Sequence, residues 1–162
     1  MGAGKSTVGA ILARSIGWRF IDVDEEIARV AGMTVAELFQ TRGESAFRAM
    51  ESELTARLSS VDRTVIAPGG GWIADPANLE RLPPRTCIVW LRVSPEEAVR
   101  RVAGAGPVRP LLSGTDDPVA VARQLIELRE PLYGRASVVI DTAGRLPEEI
   151  AQEIRSRIRF EG

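Results

Sequence analysis

Residues 2–7 constrain this chain most, because they match the end of a phosphate-binding loop. They read Gly-Ala-Gly-Lys-Ser-Thr, the close of the pattern G-x-x-x-x-G-K-[ST]. Glycines let backbone N–H groups approach phosphate oxygens, and the positive end of the following helix faces the same anion. In such loops the lysine contacts the β- and γ-phosphates, while the hydroxyl after it is a ligand of Mg²⁺. The residues expected to bind a nucleotide are Gly2, Ala3, Gly4, Lys5, Ser6 and Thr7.

An alternative interpretation of these residues is a tail of small side chains with a chance lysine. Two features favour the loop. A helical pattern follows at once, with Val8, Leu12 and Ile16 on one face and Gly17 as a stop signal. Lys5 is also the sole lysine of the chain, so surface solubility does not explain it.

Composition narrows the class of protein. The 162 residues suggest one domain, and 44% apolar content is enough for a core. A net charge of −1 gives no bulk affinity for nucleic acid or membrane, and no leader or spanning segment is visible, so we expect a cytoplasmic protein. The absence of histidine excludes histidine acid–base or metal chemistry. Cys87 lies in an apolar run and is expected to be a core thiol.

Apolar runs alternate with helical patterns, which predicts an α/β fold with a mostly parallel sheet. The predicted strands are 18–23, 63–67, 86–93 and 137–141. The predicted helices are 6–16, 25–31, 35–40, 44–59, 76–81, 95–102, 118–133 and 147–158. The stretch 103–117, rich in Gly, Pro and Asp, resembles a mobile flap carrying Arg109. Because parallel strands deliver the residues after them to one edge, the acidic and glycine-rich strand ends should meet the phosphate loop.

Two carboxylates, Asp22 and Asp24, flank Val23 at the end of a predicted strand. Residues two apart in a strand point the same way, so both could face one pocket. One could hold Mg²⁺ through water, and the other could accept a proton from an attacking hydroxyl. The alternative is a helix N-cap, since acidic residues favour a helix start.

Arginines and glycines supply the other candidate binding groups. Arg48 precedes Glu51 by three residues on a predicted helix, so the carboxylate could fix Arg48 for an anionic substrate. An exposed ion pair of little consequence is the alternative. Arg129 is a second candidate anion clamp, or a plain helix-end arginine. The triple glycine 69–71, after a strand, permits close approach of a ligand to the backbone.

Together these motifs resemble the shikimate kinase family, within the P-loop nucleoside-monophosphate-kinase-like group. The matching stretches are MGAGKST at 1–7, FIDVDEEI at 20–27, GESAFRAMES at 43–52, GGG at 69–71, VRPLL at 108–112 and LREPLY at 128–133. Their order and spacing cover almost the whole chain. The resemblance implies a single domain, 1–162, with a three-layer P-loop kinase fold around a central parallel sheet and a lid at about 103–117.

The resemblance also implies an activity and a set of roles. The activity is ATP-dependent phosphorylation of the shikimate 3-hydroxyl, giving shikimate 3-phosphate and ADP in aromatic amino-acid biosynthesis, by a monomer with ATP and Mg²⁺ as cofactors. The implied catalytic residues are Lys5, Asp24 and Arg109. The implied nucleotide-binding residues beyond the loop are Arg109 and Arg145. The implied shikimate-binding residues are Asp24, Arg48, Gly70, Gly71 and Arg129, and the metal ligands are Ser6 and Asp22. Glu51 is expected to orient Arg48.

Two departures from the family pattern keep other functions open. The family has five strands, and the first of them, ahead of the phosphate loop, is absent from this sequence. That departure allows a nucleotide-binding protein without catalysis. Trp72 follows the triple glycine where the family has a small residue, which allows a kinase for another polyol acid such as gluconate.

Overall fold

The computed structural model describes residues 2–103 and 115–158, so Arg109 and most of the predicted lid lie outside the described residues. The helices are α1 (Lys5–Ile16), α2 (Val23–Ala31), α3 (Val35–Leu58), α4 (Pro76–Glu80), α5 (Pro95–Ala103), α6 (Pro118–Tyr133) and α7 (Pro147–Arg157). The strands are β1 (Arg19–Asp22), β2 (Thr64–Ala67), β3 (Val89–Arg92) and β4 (Val138–Asp141). A 3₁₀ turn, Trp72–Ala74, precedes α4. The order confirms the predicted α/β alternation.

Local sequence signals set the helix boundaries. Helix α1 begins after Gly4 and ends at Gly17, both in the left-handed region at φ 83° and 70°. Asp22 caps α2, and Thr34 forms a reciprocal capping box with Glu37 at the start of α3. The break predicted between helices 35–40 and 44–59 is present inside α3, where Gly43 has the non-helical angles φ 78° and ψ 171°.

The four predicted strands are all present, but they form two separate parallel pairs among the described residues. β1 pairs with β2 in the register Arg19–Thr64 to Asp22–Ala67. β3 pairs with β4 in the register Val89–Val138 to Arg92–Asp141. No described strand precedes α1. The α/β fold with parallel strands is confirmed, and β2 and β3 are not paired with each other in the described chain.

A cavity of about 800 Å³ lies between β2 and β3. Val65 and Ile66 line it from β2, Val89 and Leu91 from β3, and Leu12 from α1. Because strands β1 and β4 lie on the far sides of their pairs, the edges of β2 and β3 that border this cavity have no ladder partner in the described chain.

Cys87 also lines this cavity and is exposed, so the prediction of a core thiol is wrong. Cys87 lies two residues before the start of β3 at Val89. Partial burial raises the pKa of the Cys87 thiol, which opposes formation of a thiolate.

Three clusters of buried side chains support the fold. The first joins α1, β4 and α7 through Val8, Leu12, Ile140, Ile150, Ala151 and Ile154. The second joins α2 and α3 through Val23, Ile27, Leu38, Phe47 and Leu54. The third surrounds the 3₁₀ turn and α4 through Trp72, Ile73 and Leu79. None of the helices in the described ranges has the length and apolar content needed to cross a membrane.

Candidate functional site

The phosphate loop is held at the N-terminal end of α1 by tight contacts with α5. Gly2 has φ 63°, and a Cβ there would lie 2.5 Å from the carbonyl oxygen of Ala98. Arg101 on α5 donates a hydrogen bond to the Gly2 carbonyl and two more to Thr142, through its Oγ1 at 3.1 Å and its carbonyl at 2.8 Å. Arg101 and Thr142 thus position the loop against β4. Sequence reasoning missed both, because contacts over such separations carry no local pattern.

Ser6 and Asp22 are adjacent, as the metal-site prediction requires. The Ser6 hydroxyl donates to Oδ2 of Asp22 at 2.5 Å. The other carboxylate oxygen, Oδ1, accepts the backbone N–H groups of Asp24 and Glu25 at 3.0 and 3.3 Å, which fixes the carboxylate at the start of α2. Within the described chain, no group of three or more acidic or cysteine side chains could hold a metal. Two oxygen ligands beside a phosphate loop fit Mg²⁺, which keeps several waters and binds mainly through substrate phosphates.

Asp24 reaches the site by a different route from the one predicted. β1 ends at Asp22 and α2 begins at Val23, so Asp24 lies in the first turn of a helix. The argument from strand alternation is therefore wrong for this pair. The alternative of a helix N-cap is confirmed for Asp22, whose side chain caps α2, while Asp24 lies in the first turn of that helix.

The glycine turn after β2 is in close contact with these acidic side chains and with Arg48. A Cβ at Gly69 would lie 2.6 Å from Oδ1 of Asp24 and 2.7 Å from Oε1 of Glu51. A Cβ at Gly71 would overlap the guanidinium of Arg48. The triple glycine therefore admits functional side chains of the protein itself, in addition to any ligand.

Arg48 lies between two carboxylates of α3. Its Nη1 donates to Oε2 of Glu51 at 2.7 Å, while Nε and Nη2 contact Oε1 of Glu44 at 3.2 and 3.0 Å. Burial alone lowers the pKa of Arg48, but its hydrogen bonds to Glu51 and Glu44 and their charges raise the pKa above its ordinary value.

Glu51 is only 1% exposed, so the alternative of a solvent-exposed ion pair is wrong. Burial raises the pKa of Glu51, and the positive charge of Arg48 opposes that rise. Its second oxygen, Oε1, has no hydrogen-bond partner among the described residues. A buried carboxylate in this position fixes Arg48 at the site, as expected from the sequence.

Arg129 is also buried, with 8% exposure, which excludes a plain helix-end arginine. It lies on α6, and its Nη1 donates to the carbonyl of Gly70 at 2.9 Å. Its Nε is buried and has no partner in the described part of the chain. Because an unpartnered buried guanidinium N–H is costly, Arg129 is suited to an anion from outside the protein. Arg129 and Arg48 thus flank the glycine turn from two different helices.

A smaller cavity of about 220 Å³ lies beside Arg48. It is lined by Arg48, Glu51, Gly71, Ala74, Asp75 and Asn78. Trp72 is buried next to it, and its indole Nε1 donates to the hydroxyl of Thr55 at 2.7 Å. The sequence pointed to Trp72 but not to its partner Thr55, because the two residues are 17 positions apart in the chain.

Arg145 lies in the turn between β4 and α7. Its guanidinium donates to the carbonyl of Asp141 at 3.2 Å and pairs with Glu153 at 2.6 Å. Neither of these two contacts is with the phosphate loop or the glycine turn. The expectation that it flanks adenine stays a prediction.

The protein-family model for shikimate kinase matches residues 1–159. The shikimate kinase of Moorella thermoacetica is 41% identical over 159 residues, which cover 98% of this chain and 90% of that protein. The shikimate kinase of Synechococcus sp. (strain RCC307) is 39% identical over 158 residues, which cover 98% of this chain and 80% of that protein.

Solved structures agree with the sequence comparison. A shikimate kinase from Acinetobacter baumannii, in complex with shikimate, superposes with a TM-score of 0.89 at 36% identity. The match covers 97% of this chain and 87% of that one. A shikimate kinase from Bacteroides thetaiotaomicron superposes with a TM-score of 0.86 at 32% identity, over 97% of this chain and 93% of that one. Because the family model spans nearly the whole chain and the relatives share about two fifths of its residues, this chain belongs to the shikimate kinase family.

Proposed function

We propose that this chain transfers the γ-phosphoryl group of ATP to the 3-hydroxyl of shikimate, giving shikimate 3-phosphate and ADP. The observation that carries the proposal is the pair of arginines around the glycine turn, of which Arg48 is half-buried and Arg129 is buried. Arg48 and Arg129 reach it from separate helices, and Arg129 has a buried Nε without a partner among the described residues. The carboxylate of a small acid, the molecule that receives the phosphoryl group, would accept the hydrogen bond that Nε of Arg129 can donate.

The acceptor lies between these arginines and Asp24. Its carboxylate pairs with Arg48 and Arg129, and its ring packs against the backbone of Gly70 and Gly71. Asp24 lies close to the same turn, where a Cβ on Gly69 would meet it. There Asp24 accepts hydrogen bonds from the acceptor hydroxyls and takes the proton of the attacking one.

The phosphates of ATP bind at the N-terminal end of α1, against the backbone of Gly2, Ala3 and Gly4 and the side chain of Lys5. Thr7 follows in the first turn of the same helix. Mg²⁺, when bound, neutralises charge on the β- and γ-phosphate oxygens. Ser6 and Asp22 are its protein ligands in this proposal, and their 2.5 Å contact supports the pairing.

Several finer parts of the proposal concern residues far from this turn. Arg109, in the lid at about 103–117, closes over the phosphates, and Arg145 flanks the adenine. Lid closure excludes water, which otherwise competes with the acceptor hydroxyl. A monomeric state and a cytoplasmic location remain predictions.

A coupled assay of ADP release tests the proposal. We expect ADP release with Mg-ATP that depends on shikimate, and a product phosphorylated at the 3-position by ³¹P nuclear magnetic resonance. ADP release that is equal with and without shikimate would contradict the proposal.

Gluconate serves as the comparison acceptor, because Trp72 had suggested another polyol acid. The Trp72 indole is buried and bonded to Thr55, which removes that motivation. We therefore expect no turnover with gluconate. Turnover with gluconate and none with shikimate would assign the chain to a different acceptor.

A further inference from the structure

Trp72 lies in the 3₁₀ turn directly after the three glycines, and its side chain is 8% exposed. Its indole N–H donates to the Thr55 hydroxyl at 2.7 Å, in a buried contact between segments 17 residues apart. The Thr55 hydroxyl in turn donates to the carbonyl of Glu51 at 2.7 Å. The indole is thus bonded to the helix that carries Glu51 and Arg48.

The position of Thr55 on α3 makes this link relevant to the acceptor site. Thr55 follows Arg48 by seven residues, nearly two helical turns, so both lie on one face of α3. The bond from Trp72 therefore joins the glycine turn to the same helix face that presents Arg48.

The segment around Trp72 also packs against α6, on which Arg129 lies. Its cluster includes Leu132 and Tyr133, at the end of α6. Arg129 lies on the same helix and donates to the Gly70 carbonyl, two residues before Trp72. The segment that carries Trp72 is therefore in contact with both helices that carry the two arginines.

Backbone bonds fix Trp72 itself. Its carbonyl accepts the side-chain amide of Asn78 at 3.0 Å, and its N–H donates to the Gly69 carbonyl at 3.1 Å. A side chain that only fills space needs no hydrogen bonds, whereas Trp72 is hydrogen-bonded to Thr55, Asn78 and Gly69. These bonds hold the indole at a fixed distance from α3.

We propose that Trp72 is a positioning residue, which sets the separation of Arg48 and Arg129 around the acceptor through its bond to Thr55. This inference rests on the proposed function, because it needs a carboxylate acceptor between the two arginines. It concerns acceptor binding, because Trp72 is bonded to Thr55, Asn78 and the glycine turn.

Thr55→Val tests this inference, because valine keeps the shape and removes the hydroxyl. We expect the KM for shikimate to rise roughly five- to tenfold, the scale of one lost buried hydrogen bond, with the KM for ATP unchanged. Thr55→Ser restores the hydroxyl and should restore the KM for shikimate. Trp72→Phe should raise it similarly, and the double variant by less than the product of the two single effects.

Thr41→Val is the matched control. The Thr41 hydroxyl makes the same bond within α3, to the carbonyl of Glu37 at 2.7 Å, but the residue is exposed and its other contact is the sulfur of Met33. This variant should leave the KM for shikimate unchanged. Thermal melting of each variant separates loss of folding from loss of acceptor binding.

Two outcomes contradict the inference in distinguishable ways. If the unaltered chain shows neither turnover nor calorimetric binding of shikimate, the proposed function fails, and this inference fails with it. If the unaltered chain is active but Thr55→Val and Trp72→Phe lower only the melting temperature and leave the KM for shikimate unchanged, Trp72 is structural and the proposed function stands.

Discussion

Two regions of the molecule differ in how closely they are packed. One is the acceptor side, made by the glycine turn 69–71 with Arg48, Glu51 and Arg129, and the other is the interior between β2 and β3. At the acceptor side, Gly69 has no room for a methyl group, and Glu51 and Arg129 are almost fully buried. In the interior, β2 and β3 border a cavity of about 800 Å³ and are not paired with each other. The two regions meet at the glycine turn, since Gly69, Gly70 and Arg129 also line this cavity.

The difference shows which contacts place the functional groups. Acceptor-side groups are fixed by side-chain bonds between α3, the glycine turn and α6, and these bonds do not depend on a continuous sheet. The phosphate loop is held by different contacts, with α5 through Gly2 and Arg101. Each half of the crevice therefore has its own support.

The largest expected effect concerns the loop beside the open interior. Lys5→Ala should lower kcat by about a thousandfold or more, because it removes the charge that stabilises the transferring phosphoryl group. Steady-state kinetics with saturating shikimate measures this. Arg14→Ala, which removes an exposed cation from the same helix, is the control and should leave kcat unchanged. Equal, small effects of the two variants would show that the loop does not act on the phosphates.

Two leucine truncations compare the regions by stability. Leu38→Ala removes a fully buried side chain from the core beneath the acceptor side, and should cost about 3–5 kcal/mol of unfolding free energy. Leu91→Ala removes a side chain that already lines the cavity, and should cost only about 1–2 kcal/mol, because fewer contacts are lost. Urea unfolding measures both. Equal losses would mean that the interior is as closely packed as the acceptor side.

Arg129→Met keeps an unbranched side chain and removes the buried guanidinium. It should raise the KM for shikimate about a hundredfold, since a charge-assisted bond to the acceptor is lost, and change the KM for ATP little. Arg123→Met is the matched control on α6, because that arginine is exposed and pairs with Glu96. A similar rise of KM in both variants would point to a general defect of the helix.

Two glycine substitutions test how much room the acceptor side leaves for a methyl group, and the second of them has the smallest expected effect. Gly69→Ala should lower the unfolding free energy by about 1–3 kcal/mol, because the methyl group meets Asp24 and Glu51. Gly134→Ala, at the end of α6, has φ −60° and nearest atoms at 3.6 Å, and should raise it by about 0.4–1 kcal/mol. Thermal melting measures both changes. Tolerance of Gly69→Ala would contradict the close packing of the acceptor side.

Much of the site was predictable because its residues follow local rules. The phosphate loop, the Asp22 cap and the spacing of Arg48 and Glu51 are all patterns of short range. The break at Gly43 also follows a local rule, but the early start of α2 was missed, since a helix can begin directly after a strand. Arg101, Thr142 and Thr55 could not be predicted, because each acts through a partner far away in the sequence.

The sequence by itself determined the α/β alternation, the phosphate loop at the start of α1 and the set of charged side chains for the acceptor. These depend on periodicity, capping and motif spacing, which short segments encode. The tertiary structure alone decided that Glu51 and Arg129 are buried, that Trp72 is bonded to Thr55, and that β2 and β3 border a cavity. Burial and long-range pairing depend on how elements pack, and packing is a property of the whole chain.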